Sequence, residues 1–226
     1  MNELALFAGI GGGLLGTQQI GLRAICAVEL DWHRRCVLAQ RQNERNLRSV
    51  FPIWDDICTF DGGAWSGRVD VVSGGFPCQA FSTAARGRNN AKNLWPEMFR
   101  VIKEVESEYV FAESVSVFAI EQAANDCASM GYKTEMLSLS AADLGGDHIR
   151  ERFWLLAYAN NKSKLCSVVN AEMALCEKFH EGVWSSDPDI ARVADGISSR
   201  MERYEATGNG QVPIVAAAAL WSLANA

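Results

Sequence analysis

The stretch that decides the fold is Leu4–Phe7 (LALF) followed by Ala8–Gly16 (AGIGGGLLG). Four consecutive apolar residues predict a short buried strand, and the glycines predict a tight turn into a helix, because glycine adopts backbone angles closed to other residues. Read as Gly11-x-Gly13-x-x-Gly16, the turn matches a dinucleotide-binding pattern, with Glu29 placed as an acidic ribose ligand. The pattern alone leaves three alternatives open: a nicotinamide or flavin nucleotide, S-adenosylmethionine, or a tight turn without a ligand.

Strand and helix patterns alternate along the chain beyond this turn. Apolar runs predict strands at residues 24–28, 69–73, 109–112, 133–139 and 152–159. Helical spacing of apolar residues predicts helices from Asp31 toward Asn43, from Leu94 to Val105, over residues 120–127, and after Val212. This alternation predicts an α/β fold with a mostly parallel sheet, in which ligands lie beyond the carboxyl ends of the strands.

Composition excludes several classes of protein. The 226 residues are 49% hydrophobic and 21% charged, which argues against disorder and against a coiled coil. No apolar run reaches the roughly 18 residues that a membrane span needs, and Met1-Asn2-Glu3 lacks a basic leader, so we expect a cytoplasmic protein without membrane association. The seven cysteines form no Cys-x-x-Cys pair, which argues against a disulfide framework and against a metal site. The net charge of −6 gives no global support for nucleic-acid binding.

One cysteine stands out by its position. The stretch Gly74–Ser82 (GGFPCQAFS) places Cys78 just past the carboxyl end of a predicted strand, with Pro77 restricting the approach of the chain. An inert, buried thiol is the usual alternative for a single cysteine. For an arbitrary sequence that alternative is favoured, but here the residues around Cys78 change the interpretation.

At this loop the sequence resembles the cytosine-C5 DNA methyltransferases, whose nucleophile lies in a Pro-Cys-Gln loop, and further motifs follow in the family's order almost to the end of the chain. The resemblance implies a Rossmann-like fold that binds S-adenosylmethionine. It assigns the catalytic residues as Cys78, Glu113 in Glu113-Ser114-Val115, and the pair Arg150 and Arg152. It assigns the cofactor site to Phe7, Ala8, Gly9, Ile10, Gly11, Gly12, Glu29, Leu30, Asp56, Ile57, Pro77 and Asn209.

The implied chemistry explains why these residue types occur together. Cytosine C5 is a weak nucleophile, so the Cys78 thiolate first adds to C6 and builds negative charge at C5. Glu113 is expected to donate a proton to N3, with Arg152 holding the base and Arg150 in support. The base must be flipped out of the duplex to be reached. The DNA contacts are then expected from the loop after the nucleophile, namely Gln79, Ser82, Arg86, Arg88 and Lys92, and residues 83–93 are expected to close as a lid.

The sequence also departs from the family pattern. Ser114 stands where asparagine is usual, and Gly210-Gln211 replaces a small residue and valine in the closing motif. We expect a catalytic domain over 1–159, a reduced target-recognition region over 160–206, and a C-terminal segment over 207–226 that completes the catalytic domain. Residues 162–205 carry six basic and eight acidic side chains, so their net charge is negative and does not attract DNA.

This short region leaves several alternatives open. A short region recognises the target with relaxed specificity, or a partner subunit supplies target recognition, or the catalytic core is only marginally active. The compact form resembles methyltransferases of bacteriophages and mobile elements. Two further functions stay open beside DNA methylation: RNA (tRNA) cytosine-C5 methylation, and a catalytically weak subunit that binds S-adenosylmethionine.

Overall fold

The structure, a computed structural model, describes residues 1–78, 93–146, 148–159 and 210–226. Its strands are β1 (Asn2–Leu6), β2 (Arg23–Val28), β3 (Ile53–Trp54), β4 (Val71–Gly75), β5 (Tyr109–Ser114), β6 (Tyr132–Leu139) and β7 (Arg152–Ala159). Its α-helices are α1 (Gly12–Thr17), α2 (Trp32–Asn43), α3 (Trp95–Val105), α4 (Val117–Ser129) and α5 (Pro213–Asn225).

The seven strands form one sheet in the order β3-β2-β1-β4-β5-β7-β6. Neighbouring strands are parallel along β3-β2-β1-β4-β5, while β7 runs antiparallel to both β5 and β6. This mostly parallel, Rossmann-like α/β fold confirms the fold class predicted from the sequence. From β1 the chain adds strands toward one edge of the sheet, and from β4 it adds them toward the other edge. The carboxyl ends of β1 and β4 therefore form the crevice in which such sheets bind ligands.

Two apolar cores cover the two faces of the sheet. Alternate residues of the strands enter each core, because successive side chains of a strand point to opposite faces. One face packs against α3 and α4 and includes Val110 and Ala112 of β5. The other face packs against α1, α2 and α5 and includes Tyr109 and Phe111 of the same strand. The strand β5 therefore has a defined α3/α4 face and a defined α5 face, and this distinction decides the geometry of the candidate site.

Local signals account for several element boundaries. The side chain of Asp31 accepts a hydrogen bond from the Arg34 backbone N–H at 2.9 Å, which caps α2 where the sequence predicted it. The strand β4 differs from its prediction because it continues through Gly74 and Gly75 instead of ending before them. The helix α5 differs as well, since it buries nearly its whole circumference and not a single apolar face. In the described part of the chain, no helix is long and apolar enough to cross a membrane.

The glycines of α1 serve close packing against the C-terminal segment. A side chain on Gly12 would overlap the carbonyl oxygen of Gln211, and one on Gly16 would overlap the carbonyl oxygen of Pro213. Gly11 has a different role, because its φ of 86° lies in the left-handed region that glycine favours. The glycine pattern thus reflects one backbone turn and the docking of α5 onto α1.

Candidate active site

The glycine turn after β1 lies at the carboxyl edge of the central strands. Phe7, Gly9 and Gly11 have φ angles of 52°, 57° and 86°, so the backbone turns sharply before α1 begins. A Cβ atom placed on Gly9 would meet no heavy atom within 4 Å, and the space beside the turn is therefore open. Open space beside a left-handed backbone is where a ligand could approach the main chain closely.

Glu29 lies directly after β2 and faces this turn. Its Oε2 accepts a hydrogen bond from the Gly9 backbone N–H at 2.7 Å, and its Oε1 accepts one from the Asp31 backbone N–H at 3.0 Å. The Nη1 atom of Arg34 lies 3.9 Å from Oε1. Each carboxylate oxygen has two lone-pair sites, so both retain capacity to accept a ribose hydroxyl.

The other predicted cofactor residues differ in how accessible they are. Leu30 is 66% exposed beside Glu29 and offers an uncovered apolar surface. Asp56 uses Oδ1 to accept the Cys58 backbone N–H at 2.9 Å and begins a 3₁₀ turn at residues 57–59. Ile57 is only 5% exposed and packs in the α3/α4 core, so it presents little surface to a ligand.

The Cys78 thiol is buried, with 4% of the residue exposed, in the core on the α3/α4 face. Its Sγ lies 2.8 Å from the Oγ of Ser114, the residue at the end of β5. The backbone around it is held in place, because the Pro77 carbonyl accepts the Leu94 N–H at 3.0 Å and Cys78 forms an antiparallel bridge with Asn93.

The Glu113 carboxylate lies next to Ser114 in sequence but on the α5 face of the sheet. Arg152 Nε lies 3.0 Å from Oε1, and the Gln211 amide donates to Oε2 at 3.3 Å. A Cβ on Gly75, which pairs with Glu113 in the sheet, would lie 2.5 Å from Oε2, so a side chain there would displace the carboxylate. Burial raises the pKa of the Glu113 carboxyl above its usual value, while Arg152, Gln211 and Arg150 act in the opposite direction.

The thiol and the carboxylate therefore flank the same strand end from opposite faces. Cys78 contacts Ser114, whereas Glu113 contacts Arg152 and Gln211. The predicted nucleophile and the predicted acid thus contact different partners around the end of β5.

The two arginines have separate partners. Arg152 forms the ion pair with Glu113. Arg150 has a positive φ of 28° and donates from Nη2 to the carbonyl oxygen of Gly210, so it anchors the segment that leads into α5. Burial, and then the neighbouring charge of Arg152, lower the pKa of the Arg150 guanidinium.

Two residues that depart from the family pattern contact the predicted catalytic groups. Ser114 touches the sulfur of Cys78, and Gln211 touches the carboxylate of Glu113. Each has an unusual residue type for its motif position, but residue type alone does not indicate which atom it would contact. Several predicted residues lie outside the described part of the chain, namely Gln79, Ser82, Arg86, Arg88, Lys92 and Asn209, as does the region 160–206. In the described part, no group of three or more His, Cys, Asp or Glu side chains could hold a metal ion.

Comparison with known proteins finds similarity to one enzyme family. The profile of the C-5 cytosine-specific DNA methylases matches residues 1–206. The chain is 28% identical over 172 residues to the type II methyltransferase M.NgoMIV of Neisseria gonorrhoeae, covering 70% of this chain and 52% of that protein. It is 24% identical over 219 residues to the type II methyltransferase M.DdeI of Desulfomicrobium norvegicum, covering 90% of this chain and 52% of that protein. The chain thus spans about half the length of these curated relatives.

Solved structures of other proteins share the fold of this chain. A candidate DNA modification methyltransferase encoded within an Escherichia coli prophage superposes with a TM-score of 0.56 at 25% identity, covering 70% of this chain and 47% of that one. The Dnmt2 methyltransferase of S. pombe superposes with a TM-score of 0.55 at 21% identity, covering 72% of this chain and 50% of that one.

Proposed function

Because the chain belongs to the C-5 cytosine-specific DNA methylase family, we propose that it transfers a methyl group from S-adenosylmethionine to C5 of cytosine in DNA. The observation that carries the proposal is the pairing of β4 with β5. In this pairing Gly75 lies opposite Glu113, so the Cys78 loop and Glu113 belong to adjoining strand ends, and the buried Glu113 carboxylate lies 3.0 Å from the Arg152 guanidinium. A nucleophile, an acid and a cation at adjoining strand ends match the needs of this reaction.

The residues present fit the cofactor. Open space beside Gly9, the free lone pairs of the Glu29 carboxylate and the exposed Leu30 side chain could hold the backbone-facing, ribose and adenine portions. When bound, the sulfonium group supplies an electrophilic methyl carbon. Asn209 and the predicted DNA contacts at Gln79, Ser82, Arg86, Arg88 and Lys92 remain part of the proposal.

The reaction begins when the Cys78 thiolate forms a bond to cytosine C6. Glu113 donates its proton to N3, and the electron pair of the C5–C6 double bond moves to C5. C5 would then be nucleophilic enough to accept the methyl group of a bound donor, whose sulfur would keep the electrons of the bond that breaks. A base removes the C5 proton, the electrons of that C–H bond restore the C5–C6 double bond, and the C6–sulfur bond breaks to return the Cys78 thiolate. The N3 proton returns to Glu113. Flipping the cytosine out of the duplex costs a few kcal/mol before these steps.

The raised pKa of Glu113 suits the role of an acid. Burial disfavours the charged carboxylate, so the group keeps its proton to a higher pH than an exposed glutamate does. The Arg152 guanidinium stabilises the negative carboxylate of Glu113 once the proton has moved to the base. We therefore expect methyl transfer to fall as the pH rises through the Glu113 pKa.

The test is methyl transfer followed by nucleoside mass spectrometry. The protein is incubated with S-adenosylmethionine and either duplex DNA or tRNA, and 5-methylcytosine is quantified in each. We expect product in DNA, none with Cys78→Ser, and an unchanged yield with the matched control Cys36→Ser, whose thiol is exposed on α2. Product in tRNA alone, or binding of S-adenosylmethionine without product in either substrate, would overturn the proposal. The same holds if Cys78→Ser retains full activity.

A further inference from the structure

The side chain of Gln211 connects two parts of the proposed site. Its Nε2 donates to Glu113 Oε2 at 3.3 Å, while its Oε1 lies against Gly13, where an added Cβ would overlap it. Its backbone oxygen lies against Gly12 in the same way. Gln211 is therefore packed between the start of α1, at Gly12 and Gly13, and the Glu113 carboxylate.

The surrounding residues hold Gln211 in this position. Arg150 donates to the carbonyl of Gly210, and the helix α5 begins two residues after Gln211. Gly75 leaves room for the amide, since a Cβ there would lie 3.1 Å from Nε2. Contacts on both sides of the side chain restrict its rotamers, so the amide has a fixed direction.

We propose that Gln211 is a positioning residue for Glu113, which fixes the orientation of the carboxylate and links it to the glycine turn of the cofactor site. The inference rests on the proposed function of Glu113 as the acid. With Oε1 engaged by Arg152 and Oε2 engaged by Gln211, rotation of the carboxylate is restricted. The resemblance to the family does not supply this role, because the family pattern has valine here.

The proton affinity of Glu113 provides a readout that a merely structural residue would not move. The charged groups that face it are Arg152 on β7 and Arg150 before it, and both favour the carboxylate. The amide of Gln211 donates to the carboxylate and favours the charged form too. Removal of this donor is therefore expected to raise the Glu113 pKa further.

The experiment uses Gln211→Met, which keeps the length of the side chain and removes the donor. The Glu113 pKa is measured by carbon-13 NMR of labelled glutamate carboxyls, assigned with Glu113→Gln, and the pH profile of methyl transfer is recorded in parallel. We expect an upward shift of about half a pH unit or more in the NMR titration and in the descending limb of the profile. Gln19→Met, at an exposed glutamine, is expected to leave both unchanged.

A second variant tests the same link without altering Gln211. Gly13→Ala places a methyl group where the Gln211 amide oxygen lies, so the flexible side chain must move away from Glu113. It is expected to reproduce the pKa shift of Gln211→Met. An unchanged Glu113 pKa in both variants would overturn the inference. If the native protein fails to methylate cytosine, the proposed function fails, whereas the NMR titration still decides whether Gln211 controls Glu113.

Discussion

At the scale of the residue, the hydroxyl of Ser114 has two neighbours. The Ser116 backbone N–H donates to Ser114 Oγ at 3.2 Å, and Cys78 Sγ lies 2.8 Å away. The hydroxyl keeps its proton and a second lone pair, so either the hydroxyl or the thiol can donate in the contact with Cys78. This contact holds the thiol on the α3/α4 face, opposite Glu113. Ser114 thereby stabilises a position of the thiol that the proposed attack on cytosine would have to leave.

Removal of this hydroxyl is expected to release the thiol. A hydrogen bond of this kind contributes about 1 kcal/mol, so Ser114→Ala should raise the accessible population of the thiol about five-fold. The rate of Cys78 alkylation by iodoacetamide, mapped by peptide mass spectrometry, measures that population. Ser129→Ala, in which an exposed hydroxyl on α4 is removed, serves as the control. An alkylation rate equal to that of the native protein would show that Ser114 does not hold the sulfur.

At the scale of the element, α1 and α5 depend on glycine for their contact. In an isolated helix, alanine is favoured over glycine by about 1 kcal/mol. At Gly16 the sign reverses, because a Cβ would overlap the Pro213 carbonyl oxygen and lie 3.0 Å from the Cβ of Ala216. Backbone atoms of a buried helix move only at a cost, so the overlap outweighs the helix propensity.

Gly16→Ala is accordingly expected to lower the free energy of unfolding by about 1–3 kcal/mol, as measured by urea denaturation. Gly63→Ala is the matched control, since Gly63 is exposed and a Cβ there would meet only the Asp61 carboxylate, at 3.2 Å. The control should change the free energy by no more than about 0.5 kcal/mol. A stability gain with Gly16→Ala would mean that α5 does not dock as described.

Elements with strong periodicity were predictable from the sequence, whereas contacts between distant elements were not. The apolar run at β7 and the Asp31 cap of α2 gave correct boundaries, because burial and capping act locally. The strand β3 has only two residues and left no signal. Gln211 and Glu113 are separated by 98 positions, and their contact exists only because α5 packs onto α1. The opposite faces of Cys78 and Glu113 likewise follow from strand register, which residue types alone do not specify.

At the scale of the whole molecule, the central strand β1 carries a buried acid. Glu3 is fully enclosed and accepts hydrogen bonds from Thr17 on α1 at 2.6 Å and from Ser73 on β4 at 2.5 Å. Burial raises its pKa to about 7, and the two hydroxyls only partly oppose this effect. The folded state therefore retains a proton that the unfolded state loses at a pH near 4.5.

This difference makes the stability of the protein depend on pH. Between pH 4.5 and about 7 the unfolded state binds fewer protons than the folded state, so the contribution of Glu3 to the free energy of unfolding falls as the pH rises. The loss is on the order of 3 kcal/mol for the raised pKa. Glu3→Gln, which cannot ionise, is expected to flatten this part of the profile in urea denaturation at pH 5 and pH 8. A profile with the same slope in the variant would show that another group causes it.

Covalent trapping on DNA tests whether the Cys78 sulfur bonds to the cytosine that is methylated. In duplex DNA that contains 5-fluorocytosine, methyl transfer leaves fluorine at C5, so no proton can be removed and the sulfur cannot be eliminated. With S-adenosylmethionine present, we predict a complex that survives denaturation and has the mass of protein, DNA and one methyl group. Peptide mapping is expected to locate the linkage at Cys78. The absence of any adduct under conditions where the protein binds both DNA and S-adenosylmethionine would contradict the account, as would an adduct that persists in Cys78→Ser.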